Sequence, residues 1–345
     1  MRYNTIVADA LPSAAQAPDE EHARLAYNEN PEGTVAAVRS RVDVAAQAMN
    51  RYPFEAEARV MAAVAEHFGC SELDMMLVRG IDECFDRTCA EFPSMRCVTA
   101  WPGFDGYRGR IAVSGLQHFE IGLDEQLMLR EEDLAQVTRN DFVVLADPSN
   151  PTGLTVCREQ LARLRERAGM LLIDETYVDY SPRRERRPDY GERGLIFRSF
   201  SKSYGLAGVR LGAVFGPAAL IAAMKRKQWF CNLGILDLCA LEATLENDHV
   251  RRAHVRTTLI ERDKVERGLR EAGFRVTPSK ANFVLVAVEN AETAVDFLRE
   301  RGVQVKNAGQ FGLSGHLRIT IGSTWENGRL LAAMTEYLRE EKVIS

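Results

Sequence analysis

The stretch FRSFSKSYGLAGVRLG, Phe197 to Gly212, decides how this chain is read. Lys202 stands among Ser199, Ser201 and Ser203, a glycine-punctuated segment follows, and Arg210 leads into the apolar run LGAVFG. The runs GLIFRSFS before the lysine and RLGAVFG after it read as two buried strands with the lysine at their junction. A lysine at a buried strand end is costly unless neutralised or used, because desolvation disfavours its charged form and lowers its pKa. Such a lysine is a candidate for Schiff-base chemistry. Ser199, Ser201 and Arg210 add hydroxyls and a guanidinium fork suited to a phosphate group. A solvated lysine in a serine-rich loop is the plainer alternative.

Upstream of this stretch the same texture repeats. Short apolar runs (MMLVRG near 75, RCVTAWP near 96, QHFEIGL near 117, DFVVLADP near 141, MLLIDE near 170) alternate with amphipathic segments. One of these, AEARVMAAVAEHFG, ends in a glycine suited to a helix C-cap. The alternation predicts an α/β fold with a mostly parallel central sheet flanked by helices. From about residue 246 the pattern changes to a long charged helix, DHVRRAHVRTTLIERDKVERGLREAGF. It leads into the strands ANFVLVAV, GVQVK and HLRITIG, which predict a smaller α+β unit.

Composition narrows the function classes. At 345 residues the chain has room for one large domain and a smaller one. Its 46% apolar and 27% charged residues are those of a globular protein, and a net charge of -5 gives no electrostatic case for nucleic acid. The basic cluster PRRERRPDY at 182–190 is short, proline-flanked and without interleaved aromatics, so a solvated loop is expected rather than a phosphate patch. Seven cysteines without a CxxC pair predict reduced thiols, and six dispersed histidines suggest no metal. With neither an export signal nor a membrane-length apolar run in the sequence, the expectation is a soluble, cytoplasmic protein.

Two further strand ends carry polar groups. In LLIDETYVDY an acid, Asp174, closes four apolar residues, which leaves its carboxylate at the carboxyl edge of a buried strand, where open α/β sheets bind ligands. A strand-end cap is the other reading of that residue. In LADPSNPTG, Pro148, Pro151 and Gly153 fix a turn with the Asn150 amide at its tip, or simply a surface turn. Lys202, Asp174 and Asn150 taken together match different atom groups of one cofactor. A molecule that bonds a lysine through an aldehyde, needs an acid beside its pyridine nitrogen and ends in a phosphate is pyridoxal 5'-phosphate (PLP). Asn150 and Tyr177 would then hydrogen-bond its phenolic oxygen.

The order NEN, RYP, NPTG, IDETY and SFSKSYGLAGVRLG resembles the fold-type I, PLP-dependent aminotransferase superfamily, and within it the histidinol-phosphate aminotransferases, from about residue 25 onward. The resemblance implies an N-terminal arm with part of the small domain over 1–45, a large PLP-binding domain over 46–245 and a small C-terminal domain over 246–345. It makes Lys202 the cofactor-bound lysine and acid/base, with Asp174 and Tyr177 as its catalytic partners. Phe104 in WPGFDGY takes the ring-stacking place, and Ser199, Ser201 and Arg210 fall on phosphate contacts. RGIDECFD, with Ile81 and Asp82, falls where a helix N-terminus receives the phosphate. Tyr52 in NRYP matches a tyrosine that reaches the neighbouring subunit's cofactor, which implies a homodimer with shared sites. Asn28, Tyr52, Asn150, Lys306 and Arg318 are the substrate-binding positions the resemblance implies.

The sequence departs from the family pattern at three of these positions. Ile81 replaces a small residue, Phe104 stands where tyrosine is common, and Lys306 replaces an arginine, keeping the charge and losing the bidentate fork. The implied activity is amino-group transfer on histidinol phosphate or a related anionic amino substrate. PLP-dependent decarboxylases, cyclases and oxidases share the scaffold and stand as the alternative. A DNA-binding regulator is not expected, because about twenty-five residues precede LAYNEN. Nor is a dinucleotide enzyme, because GLAGVRLG is not GxGxxG.

Overall fold

The computed structural model describes residues 22–182 and 188–344. Residues 183–187 of the basic cluster and 1–21 of the N-terminal arm lie outside the described residues. The first strand is β1 (Ala23–Arg24). The main sheet comprises β2 (Met75–Val78), β3 (Arg96–Trp101), β4 (His118–Gly122), β5 (Asp141–Ala146), β6 (Met170–Asp174), β7 (Gly194–Ser199) and β8 (Gly212–Phe215). Every apolar run expected to form a strand does so. The seven strands lie in the order β2-β8-β7-β6-β5-β3-β4. All neighbours from β4 through β7 are parallel, and β8 runs antiparallel to both β7 and β2. The fold is thus the expected mostly parallel α/β sheet.

Successive residues of one strand enter different cores. Val143 and Leu145 join a cluster with Val60, Phe68, Leu171 and Ile173, while Phe142 and Val144 join Phe85, Ile111, Leu172 and Phe197 on the opposite face. Burial on both faces is why these strands read as unbroken apolar runs. Helix Phe54–Phe68 covers the first face and stops at Gly69, whose φ of 67° supplies the expected left-handed cap.

The C-terminal unit contains β9 (Arg275–Thr277), β10 (Phe283–Ala287), β11 (Val303–Gln304), β12 (Lys306–Asn307) and β13 (His316–Thr320). Four of them form an antiparallel sheet in the order β12-β13-β10-β9. GVQVK, read as one strand, is split: β11 pairs parallel with β1, and after Val305 the chain crosses to pair with β13. The charged helix Asp248–Ala272 ends at Gly273, φ 110°. It contributes Val265 and Leu269 to a core shared with Ala23, Leu25, Val284 and Ile319. Among the described residues, no helix is long and apolar enough to cross a membrane and no metal-binding cluster occurs. All seven cysteines are free thiols.

Candidate active site

Because β3, β5, β6 and β7 are parallel, their carboxyl ends face one way and their following loops meet over one edge of the sheet. Asp174 is the last residue of β6, Asn150 lies in the turn after β5, Phe104 follows β3, and Lys202 follows β7. Residues distant in sequence therefore share one site.

Lys202 lies in a turn closed by the hydrogen bond from Gly205 N to Lys202 O, 3.0 Å, with Gly205 at φ 71°. Its Nζ donates to the Tyr27 carbonyl at 2.9 Å. Burial, with Arg318 and Arg210 nearby, lowers its pKa to about 8, partly opposed by Glu29 and Asp174. At neutral pH a usable fraction of the amine is thus unprotonated, as nucleophilic attack requires.

Asp174 is buried. Its Oδ2 accepts a hydrogen bond from the Tyr107 hydroxyl at 2.7 Å, and Oδ1 accepts from Thr176 N at 2.9 Å and from the Thr176 hydroxyl. Burial pushes its carboxyl up, and the bonds from Thr176 and Tyr107 pull it back. No salt bridge to Asp174 occurs among the described residues, so a protonated ring nitrogen would supply the cation its buried carboxylate needs.

A second cluster suits a phosphate. Helix Gly80–Glu91 opens at a glycine with φ 70°, and a Cβ built on Gly80 would meet Arg210 Nη2 at 3.1 Å. Arg210 therefore lies across a helix N-terminus, where free N–H groups and the helix dipole favour an anion. Its Nη1 also donates to Ser201 Oγ at 3.3 Å, and Ser199 Oγ accepts from Ser201 N at 3.1 Å. Ile81 packs against the Cys84 and Phe85 core, which leaves the backbone donors of this turn in place. Asp82, in the same turn, is a negative charge beside the cradle; burial raises its pKa, and Arg210 and Arg110 oppose that shift.

The third cluster joins the C-terminal unit to the sheet edge. Arg318 of β13 is buried; its Nη1 donates to Asn150 Oδ1 at 2.8 Å and its Nη2 to Ala26 O at 2.7 Å, while Nε has no hydrogen-bond partner among the described residues. The rings of Phe283 and Phe311 flank it at 5.5 and 5.0 Å. Asn28, at φ 55°, donates to the Tyr177 hydroxyl at 3.1 Å and accepts from the Thr320 hydroxyl at 3.0 Å. Burial raises the Tyr177 phenol, against the pull of Arg318 and Asn28. Lys306 is paired in register with Arg318, and its Nζ lies 5.4 Å from the centre of the Tyr27 ring.

The structure thus brings together Asn28, Phe104, Asn150, Asp174, Tyr177, Lys202, Lys306 and Arg318, with Ile81, Asp82, Ser199, Ser201 and Arg210 at the neighbouring helix N-terminus. Tyr52 is apart from them. It is 69% exposed and packs against Phe54 and Phe230. Sequence reading missed Tyr107, Thr176 and the Tyr27 carbonyl. Tyr107 was within reach, because it follows Phe104 by three residues into a helix and so shares its face. Their rings meet edge to face at 5.3 Å. An amine of lowered pKa, a buried carboxylate without a salt bridge among the described residues and an arginine across a helix N-terminus fit PLP group by group.

The comparisons with known proteins agree with this chemistry. The family model for aminotransferase class I and II matches residues 22–334. A histidinol-phosphate aminotransferase from Methylibium petroleiphilum is 31% identical over 333 residues, covering 92% of this chain and 90% of that one. Among solved structures, a Burkholderia pseudomallei protein described only in general terms as an aminotransferase is 63% identical, with TM-score 0.91, covering 94% of this chain and 99% of that one. Histidinol-phosphate aminotransferase from Sinorhizobium meliloti, solved with pyridoxal-5'-phosphate, is 24% identical with TM-score 0.84, covers 92% and 91%, and supports the shared fold. With the match running almost the length of the chain, this protein belongs to the aminotransferase class I and II family of PLP-dependent enzymes.

Proposed function

We propose that this aminotransferase acts on histidinol phosphate or a closely related anionic amino substrate, exchanging its amino group with a keto acceptor. The observation that carries the reading is the joint placement of the Lys202 amine and the buried Arg318 guanidinium, both reaching the Ala26–Tyr27 backbone. PLP supplies an aldehyde that combines with amines and an electron-poor ring that draws electrons from the substrate carbon. Lys202 would hold that aldehyde and, once the substrate amine replaces it, carry the proton off the substrate carbon and return it. Asp174 would keep the ring nitrogen protonated, and Asn150 and Tyr177 would orient the phenolic oxygen. Ser199, Ser201, Arg210 and the first turn at Ile81 and Asp82 would anchor the phosphate, with Phe104 against the ring. Arg318, Lys306 and Asn28 would fix the substrate.

The reading extends to the assembly. Tyr52, Phe54, Trp229 and Phe230 are 69, 55, 80 and 74% exposed, an aromatic surface suited to burial against a second copy. We infer a homodimer in which Tyr52 reaches the other subunit's phosphate. The division into an arm over 1–45, a large domain over 46–245 and a small domain over 246–345 belongs to the same proposal, as does a cytoplasmic location.

The test is a half-reaction. Holoenzyme is mixed with histidinol phosphate and, separately, with each common amino acid, and the cofactor absorbance is followed. Rapid loss of the aldehyde-form band with histidinol phosphate is expected. A band indifferent to histidinol phosphate but lost with an ordinary amino acid would overturn the substrate assignment.

A further inference from the structure

Asp179 follows Tyr177 by two residues, in the short 3-10 turn Val178–Tyr180, and belongs to none of the three clusters described above. Its Oδ2 accepts a hydrogen bond from the hydroxyl of Ser203, the buried residue next to Lys202. Its Oδ1 lies 3.2 Å from Arg251 Nη1, in an ion pair whose side chains are 18 and 14% exposed. Arg251, in the first turn of helix Asp248–Ala272, is braced in turn by Asp248 Oδ1 at 2.5 Å. Its guanidinium also lies 4.7 Å from the centre of the ring of Tyr204, the second residue after Lys202. The Tyr204 hydroxyl is hydrogen-bonded at 2.9 Å to His67 Nε2, in the last turn of helix Phe54–Phe68, and its ring meets Phe200 edge to face at 5.0 Å.

Lysine carries its amine on a flexible four-carbon stem, so the space the amine can reach depends on where the backbone is held. The turn from Lys202 to Gly205 ends in a conformationally free glycine and would be pliant by itself. Three separate segments converge on the two residues after the lysine: the Val178–Tyr180 turn, the start of helix Asp248–Ala272 and the end of helix Phe54–Phe68. General stabilisation is the plainer account of the Asp179–Arg251 pair. A buried pair is weak evidence for stability, however, because desolvation offsets much of its attraction. Position explains more. One short stretch carries both Tyr177 and Asp179, so the bond from Ser203 to Asp179 sets the Lys202 turn at a fixed offset from the Tyr177 phenol.

We propose that Asp179, held in place by Arg251, is a positioning residue that acts through Ser203 to register Lys202 against Tyr177. The proposal rests on the reading of Lys202 as the cofactor lysine and deepens it. Asp179 touches neither cofactor nor substrate; it sets the point from which the amine swings. Loss of the brace should leave Lys202 chemically competent and misplaced, so the amine would find the PLP aldehyde more slowly and hold the bound ring less uniformly.

The test uses the full chain as wild type, Ser203→Ala, Asp179→Ala and the double variant. Cofactor-free protein is mixed with PLP, and the rate of bond formation to the lysine is followed by absorbance. The circular dichroism of the bound cofactor reports its fixed orientation, and amide hydrogen exchange reports the turn. In each single variant capture should slow roughly threefold to tenfold, within the range that misplacing a reacting group costs. The cofactor ellipticity should fall, and exchange should quicken at residues 202–206 above all. The double variant should be no worse than the single ones, because both remove the same contact. Normal capture and ellipticity beside a lowered thermal midpoint would overturn the proposal and leave the network a purely structural one. Losses that multiply in the double variant would overturn it as well. Should Asp179→Ala fail to fold, Ser203→Ala decides alone: it removes one hydroxyl and no charge, and unchanged capture and ellipticity there would sink the idea. Borohydride trapping in the wild type separates the two readings. An adduct that maps to a residue other than Lys202 overturns the cofactor lysine itself, and the positioning role with it.

Discussion

The proposed cofactor end and the proposed substrate end of this site are built by different means. At the cofactor end, Asp174 closes a parallel strand of one sheet and Asn150 and Lys202 follow two others, so a regular architecture delivers them to one edge. The substrate end is assembled by long-range contacts instead. Arg318 bonds Ala26 and Asn150, residues 292 and 168 positions away, and Asn28 bonds Tyr177 across 149. A chemistry fixed by the sheet can be kept while the grip is altered, because the grip's residues belong to other segments.

The largest expected effect lies at the cofactor end. Lys202→Ala should abolish turnover while leaving noncovalent PLP binding measurable by equilibrium dialysis. Wild-type turnover in that variant, together with a lysine adduct trapped by borohydride, would break the comparison at its root. Asp174→Ala should cost about a hundredfold to a thousandfold in kcat, the scale for losing a preorganised electrostatic partner. Unchanged kinetics would take that role away.

At the substrate end the effects should be smaller. Arg318→Ala removes a charge-assisted contact worth about 1.5 to 3 kcal/mol. The Michaelis constant for anionic substrates should therefore rise roughly tenfold or more, with no change for an uncharged amine. The same substitution tests whether the two ends communicate. Lys202 has a pKa of about 8, and Arg318 is one of the charges that lower it. The rate at which the cofactor-free enzyme captures PLP should titrate near that value in the wild type and at higher pH in Arg318→Ala. An unmoved midpoint would mean that the ends are electrostatically independent.

Tyr107→Phe should have the mildest effect. Its bond pulls the Asp174 carboxyl down, so removing it lets burial push that carboxyl higher. If cofactor retention needs the ionised form, acidification should then release PLP at a higher pH than in the wild type, with little change at neutral pH. Identical release curves would leave Tyr107 a packing residue.

The two ends also differed in how far they could be read in advance. Lys202, Asp174 and Asn150 stand beside apolar runs, so the strand pattern located them together with the sheet. The Asn28 network was not legible. Its partners Tyr177, Thr320 and Asn282 are scattered through the chain, and nothing in NENPEG says that the backbone turns left-handed there. The split of GVQVK at Val305 was hidden for the same reason. Five residues of strand character cannot show that a first pair, Val303 and Gln304, bonds one strand while Lys306 bonds another.

The partner that takes the first pair is β1, almost three hundred residues earlier, and the adjacent Arg24 N bonds Glu326 Oε1 across 302 positions. Ala23 and Leu25 are fully buried in the C-terminal core. During synthesis these residues emerge long before β11 and the rest of the C-terminal core against which they dock. The intervening chain is therefore made with this segment unattached, and closing so long a loop is entropically slow. A fragment that starts after residue 45 would leave β11 an unpaired edge and open a gap where Ala23 and Leu25 should lie. Adding the missing segment as a separate peptide should restore the fragment, which makes this chain a natural candidate for complementation in trans.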